Sequence, residues 1–342
     1  MELTERKKRI LSSVVNNFVE YGEPVGSKTI ADEIGVSSAT IRNEMADLIQ
    51  LGLLEQPYTS AGRVPSPMGY RKYVEGISRP QMPSKEDVSF FDTGLLENAY
   101  DIERLLRCVP KLLAEYSKLV SIVSTPEGRG STVRGIQFVQ ISRRTAMLVL
   151  MSSVGTVSNR IFHCDYDLTV EILRMFFRVF NKRLNKMLIS DITVAFIQSM
   201  AVSLGELSML SAPPLVALLE VAGETMRAEI FIHGQMNLLM YPEAEYSNVR
   251  YIVSFLENRS RVRQLLDRRR YKKTTVLIGN ETGRRELKDA SVVMSSFFIG
   301  NQDAGTIALL GPMRMDYKRA ISALEYVSNQ LGDMLTALTM EI

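Results

Sequence analysis

Residues 35 to 54 read GVSSATIRNEMADLIQLGLL, and their spacing separates a side made for burial from a side made for contact. Ile41, Met45 and Leu48 fall at the i, i+4, i+7 positions of an apolar helix face. At about 100° per residue, the opposite side carries Ala39, Asn43, Ala46 and Gln50, flanked by Thr40 and Arg42. Those side chains suit the edges of bases. Asn pairs bidentately with adenine, Arg with guanine or a phosphate, and Ala lets a helix come close and meet a thymine methyl. Ser37 and Ser38 precede the run as N-cap candidates, and no acid occurs before Glu44. A first turn without Asp or Glu keeps its N–H groups and the positive end of the dipole available to an outside anion such as phosphate.

The flanking sequence predicts the elements that would hold this helix in place. A helix runs from an N-cap at Thr4 to Tyr21-Gly22, with Ile10, Leu11, Val14, Val15, Phe18 and Val19 as its stripe. A short helix, SKTIADEI, starts at Ser27 and stops at Gly35. Beyond the third helix, Leu53 to Gln56 reads as a strand, Thr59-Ser60-Ala61-Gly62 as a turn and Arg63-Val64 as the return. Ser66 and Pro67 then open a fourth helix containing Tyr70, Arg71, Lys72 and Tyr73. A helical pair followed by a hairpin is the winged-helix plan, with the second helix of the pair in the major groove and the wing on backbone or minor groove. Tyr58, Thr59, Ser60 and Arg63 would be the wing's donors to phosphate.

Bulk properties neither require nor oppose this. The chain has 342 residues, 46% of them hydrophobic, enough for two or three domains. Residues 1 to 80 hold ten Lys/Arg and ten Asp/Glu, so DNA binding has to rest on placement rather than net charge. No run of about 18 apolar residues occurs, and the expectation is a cytoplasmic protein with no membrane segment. Two Cys and two His cannot build a disulfide framework or a Cys-rich zinc site, and His163 beside Cys164 reads as the end of a strand. No nucleophile, base and orienting group can be assembled, so neither an enzyme, a metal nor a cofactor is expected.

The runs EPVGSKTI (23 to 30), SSATIRNEMADL (37 to 48), LGLLEQPYTSAGRVPS (51 to 66) and GYRKYVE (69 to 75) closely resemble the heat-inducible transcription repressor HrcA family. GTIALLGPMRMDYKRAISAL near the end resembles it too. Tyr58 stands where family members often carry His, and the segment between Ser27 and Ser37 is shorter than in familiar members. The resemblance implies a bacterial winged-helix repressor whose homodimer binds double-stranded DNA at an inverted repeat, the CIRCE element, upstream of chaperone operons. It also implies a GAF-like regulatory domain with an inserted dimerising segment, and dependence on the GroEL-type chaperonin for folding.

After SRPQMPS (78 to 84), which reads as a linker, a long amphipathic helix is expected with Leu95, Leu96, Ile102, Leu105, Leu106, Leu112 and Leu113. Val133 to Ile141, Thr145 to Met151 and Thr156 to Phe162 read as an antiparallel meander. Ala228 to His233, Thr274 to Ile278, Val292 to Ile299 and Gly305 to Leu310 read as further strands, and Tyr317 to Leu338 as a closing helix. Between the strand groups, Val170, Leu173, Phe176, Phe177, Phe180 and Leu184 form one helical stripe, and Ile172, Met175 and Val179 a second one on the far side. One core needs only the first, so the second is assigned to a dimer interface.

The expected fold class is α+β multidomain: an N-terminal winged helix-turn-helix (1–78), a GAF-like α+β domain in two parts (79–163 and 223–342) and an inserted dimerisation segment (164–222). Two other readings share the sequence: a winged-helix regulator gated by a small molecule in the GAF-like domain, and a module whose helical pair meets another protein. The glycines of TPEGRGST (125 to 132) precede a strand rather than open a helix, so they are not a phosphate loop. The basic run NRSRVRQLLDRRRYKK (258 to 273) reads as a solvated helix end.

Overall fold

The structure is a computed structural model and describes residues 3–59, 61–77, 82–125, 130–226, 229–241, 246–267 and 274–341. At the N-terminus, α1 (Glu5–Tyr21) begins where the Thr4 hydroxyl accepts from Lys7 N–H, and it ends at Gly22 with φ 74°. α2 (Ser27–Ile34) is closed by Gly35 at φ 78°, and α3 (Ser38–Gln50) follows at once behind Ser37. The wing consists of β1 (Leu54–Glu55) and β2 (Val64–Pro65), antiparallel, with a third rung where Val25 and Arg63 exchange backbone hydrogen bonds. Gly62 is required at that rung, because a Cβ there would lie 2.5 Å from the Pro24 carbonyl oxygen. α4 (Pro67–Glu75) starts with Ser66 as N-cap and Pro67 in its first turn. It crosses Leu53 so closely that a Cβ on Gly69 would meet that carbonyl at 2.0 Å.

The expected single long helix is two, α5 (Lys85–Leu96) and α6 (Ile102–Ser117). Asp101 restarts the chain by capping Arg104 N–H, and Asn98 folds back onto the Gly94 carbonyl. The break lets the two pack face to face, with Gly94 against Leu112 at the crossing. Next comes a strand absent from the sequence reading, β3 (Val120–Ser124), every residue of which is buried. β4 (Val133–Ser142), β5 (Thr145–Ser152) and β6 (Val157–His163) form the expected meander. α7 (Val170–Leu184), α8 (Val194–Ser203) and α9 (Ala212–Thr225) follow, then β7 (Ile230–His233), α10 (Tyr246–Glu257), α11 (Arg259–Leu266), β8 (Thr275–Ile278), β9 (Ala290–Ile299), β10 (Gln302–Pro312) and α12 (Tyr317–Glu341).

A five-stranded antiparallel sheet in the order β7-β3-β10-β9-β8 organises the body. Val123, Val293, Phe297, Ile307 and Leu309 on one face join Leu105, Val109, Leu113, Leu324, Val327 and Leu331 of α6 and α12 in a core that is continuous with Ile10, Val14, Leu48 and Tyr70 of the winged helix. On the other face Ile122, Val292, Met294 and Leu310 pack against Phe255, Leu256, Val262 and Leu265 of α10 and α11. This is the GAF-like α+β arrangement.

Ser124 at the end of β3 pairs with Ile230 at the start of β7, so the intervening chain leaves the sheet and returns to the adjacent strand. Within it the meander shares a second core with helices: Ile136, Leu148 and Leu150 meet Phe176, Phe180 and Leu184 of α7 and Leu215, Leu218 and Val221 of α9. The meander is therefore not part of the five-stranded sheet, and the domain edge expected between 163 and 164 falls inside a single core. Three strands read alike whichever sheet they join, so their pattern alone does not place this edge.

Two features of α7 also differ from expectation. Phe177 is 45% exposed rather than part of the buried stripe. Ile172 and Val179, assigned to the far stripe, are half-buried against their own core, which leaves Met175, 41% exposed, as the free member. Asn181 pairs with both backbone groups of Ile136 and so blocks part of the β4 edge.

The uncovered side of the meander carries Gln137, Val139 and Ile141 on β4, Thr145, Met147, Val149 and Met151 on β5, and Val157, Asn159, Ile161 and His163 on β6. Val139 and Ile161 both lie opposite Met147. Apart from His163, no residue of that face is ionisable. On the opposite side of the unit, α8 packs on α9 and carries no charged residue; its Val202 is 83% exposed.

Candidate nucleic-acid interface

α3 presents the face that the sequence assigned to DNA. Ile41, Met45 and Leu48 are buried, whereas Ala39, Arg42, Asn43, Ala46 and Gln50 are exposed and Thr40 is partly so. The two acids are matched by cations of α1: Glu44 is buried and ion-paired to Arg6 at 2.6 Å, and exposed Asp47 is paired to Lys7 Nζ at 2.8 Å. The neutral total of this region thus includes acids already matched by α1 cations. Among the described residues, Arg42 and Lys28 have no acidic partner, and both face the joint between the N-termini of α2 and α3.

The serines are more committed than expected. Ser37 Oγ accepts from Thr40 N–H at 3.2 Å and lies 2.8 Å from Thr40 Oγ1, acting as the N-cap. Ser38 Oγ is 3.0 Å from Ser27 Oγ, which ties the start of α2 to the start of α3. What remains for an anion there is backbone N–H. A shallow concavity whose lining includes Gly26, Ser27, Lys28, Ser37, Ser38 and Arg42, with one acid, Asp32, surrounds both helix starts. α2 also lacks an acid in its first turn and has no side-chain cap. Ser27 and Lys28 were missed by the sequence reading, and the Gly26-Ser27-Lys28 start without an acid was the available signal.

In the wing, Tyr58 is 62% exposed and Thr59 is exposed, as the loop position requires. Ser60 lies outside the described residues. Gln56 donates to the Thr59 carbonyl at 2.7 Å and bends the strand after Glu55, shortening it relative to expectation. Arg63, expected as a phosphate donor, already has one of its nitrogens engaged within the wing. It is half-buried and donates Nη1 to the Ala61 carbonyl at 2.9 Å, bracing the wing from behind. The linker residues 78–81, the glycine run at 126–129 and the basic residues 268–273 also lie outside the described residues. In the described part of the basic run, Arg259 donates to the Ile230 carbonyl and Arg261 pairs with Glu286, so these cations serve the body.

A recognition helix with a base-reading face, a helix-start concavity and a wing, mounted on a GAF-like body, define a winged-helix DNA-binding transcriptional regulator. Family models agree over most of the chain: "Winged helix-turn-helix transcription repressor, HrcA DNA-binding" matches residues 2–73 and "HrcA protein C terminal domain" matches 103–321. The chain belongs to the heat-inducible transcription repressor HrcA family. It is 32% identical to the heat-inducible transcription repressor HrcA of Acetivibrio thermocellus, over 99% of this chain and 98% of that protein. Against the protein of the same name from Clostridium botulinum, strain Eklund 17B, it is 32% identical over 98% of both chains. A crystal structure of a hypothetical protein at 2.2 Å resolution shares the fold, with TM-score 0.69 and 24% identity over 98% of this chain and 100% of that one.

Proposed function

We propose that the repressor binds, as a homodimer, an inverted repeat of CIRCE type upstream of chaperone operons in the bacterial cytoplasm. The single observation behind this is the α3 surface: among the described residues Arg42 and Asn43 have no side-chain hydrogen-bond or ion-pair partner beside exposed Ala39 and Ala46, while Glu44 is buried and Asp47 is neutralised by Lys7. One such helix reads a single half-site, and a two-fold protein matches a two-fold operator. The test is a protection footprint on the organism's own chaperonin promoter, with affinity followed against salt. Two symmetric protected half-sites are expected, and log Kobs should fall with log[salt] at about 0.9 per neutralised phosphate. Unprotected or asymmetric DNA sinks the proposal.

Heat would relieve repression through folding rather than through a ligand. The face of the five-stranded sheet under α10 and α11 is filled by apolar side chains, which favours this reading over a small molecule bound there. A body split by an insertion, eighteen Met and an exposed neutral helix α8 all invite slow folding and aggregation. The GroEL-type chaperonin is the proposed partner: unfolded protein produced by heat occupies it and deprives new repressor of assistance. Refolding with chaperonin and ATP should raise the operator-binding fraction, measured by titration with labelled operator, and excess unfolded substrate should cancel the gain. Complete refolding without chaperonin removes this step and returns attention to a ligand.

A further inference from the structure

Arg71, in the GYRKYVE run, has no part in the DNA surface, yet it makes the most directional contact between the winged helix and the body. Its Nε donates to Glu281 Oε1 at 2.8 Å, and one Nη donates both to the second carboxylate oxygen and to the Val276 carbonyl, the latter at 2.7 Å. Val276 lies on β8, the edge strand, and Glu281 in the turn that follows it. Glu281 Oε2 also accepts from Ile278 N–H at 2.9 Å. Burial alone would raise the Glu281 carboxyl; the hydrogen bonds from Arg71 and Ile278 outweigh it and hold the group below its ordinary range. One planar fork therefore grips the sheet edge and its turn together.

The neighbouring contacts are less particular about angle. Tyr70 is buried with its ring 5.8 Å from that of Tyr317, whose hydroxyl donates to the Met313 carbonyl and meets Ser291. Lys318 lies over the Tyr73 ring, and Arg314 donates to the Val19 carbonyl at 3.1 Å. Apolar and ring contacts tolerate a few degrees of roll, whereas a bidentate carboxylate with an added backbone acceptor fixes orientation.

We infer that the Arg71–Glu281 grip sets the angle of the winged helix on the body and thereby selects the half-site spacing that the paired repressor accepts. This rests on the reading of a dimer on an inverted repeat. Inserting one base pair moves a half-site by about 3.4 Å and turns it by about 35°. A head swinging on a tether would follow such a change; a gripped one cannot. Arg71 and Glu281 are then positioning residues that determine specificity without touching DNA.

The test uses the full chain and labelled duplexes: the cognate operator, the operator with one base pair inserted or removed between half-sites, an isolated half-site and a scrambled duplex. The unsubstituted protein should bind the respaced operators at least about tenfold more weakly than the cognate one. Arg71→Met and Glu281→Gln should each reduce that preference to within about threefold, and the double variant should do no more than Arg71→Met alone, because one interaction is being removed. Isolated half-site affinity should stay unchanged, showing that the head remains folded. Variants that keep the full spacing preference overturn the inference, as does a parallel loss on the isolated half-site. If the unsubstituted protein cannot distinguish operator from scrambled duplex, it is the underlying functional reading that fails.

Discussion

Asn43→Ala is expected to weaken cognate operator binding by about 2–6 kcal/mol, since a lost bidentate base pair costs about 1–3 kcal/mol and a symmetric operator loses two. The side chain is exposed at the centre of the α3 face, one turn after Ala39 and before Asp47. Its removal should leave the thermal unfolding of the protein where it was. Base preference should relax at one position in each half-site, whereas binding to non-cognate duplex should scarcely change. Gel-shift titration against cognate and singly substituted operators separates these effects. Unchanged cognate affinity would mean that another face of α3, or another element, reads the bases.

Ile161→Glu is expected to split the proposed homodimer into monomers. Ile161 is 58% exposed on the uncovered side of the meander, opposite Met147, within a surface of Val, Ile, Met, Gln, Asn and Thr that contains no Lys or Arg, His163 being its one ionisable residue. In a two-fold contact each substitution occurs twice. Each uncompensated buried charge costs about 3–5 kcal/mol, so the dimer dissociation constant should rise by at least about a thousandfold. Operator affinity should follow, falling by about 10²–10⁴ as the second half-site ceases to be bound intramolecularly. Sedimentation of Ile161→Glu beside Met175→Glu on α7 and Val202→Glu on α8 locates the contact. The α7 position, with Arg174, Arg178 and Lys182 on the same helix, should tolerate the acid and stay dimeric, as should α8. Monomers from Met175→Glu would instead restore the α7 stripe as the interface, and monomers from Val202→Glu would place it on the outer helix.

The winged helix was legible because its punctuation is local. Thr4, Gly22, Gly35, Ser37, Ser66 and Pro67 each act within four residues of where they stand, so the caps and turns could be read without knowing what packs on them. β3 was not legible: five buried residues without alternation look the same as part of a buried helix. The membership of the meander was hidden for a different reason, since the core that its strands join is completed by α7 and α9 and not by the strands themselves. At the site, residue type exposed the face of α3 but not the engagements of Ser38 with Ser27 and of Arg63 with Ala61. Those depend on which polar group another segment happens to bring within reach.

The placement of β3 bears on how each molecule is made. β3 lies between β7 and β10, and Ser124 and Thr306, hydrogen-bonded neighbours in the finished sheet, are 182 residues apart. At 5–20 residues per second of translation, roughly 10–40 s separate the emergence of one partner from that of the other. The DNA-reading head leaves the ribosome first, whereas β8, to which Arg71 fastens it, arrives some two hundred residues later. Every newly made chain therefore carries a complete head without its seat, and a central strand without one of its neighbours, for a large part of its synthesis. On the proposed control through folding, the stock of working repressor would record the conditions during that interval, and a brief heat pulse would register most strongly in the chains still being translated.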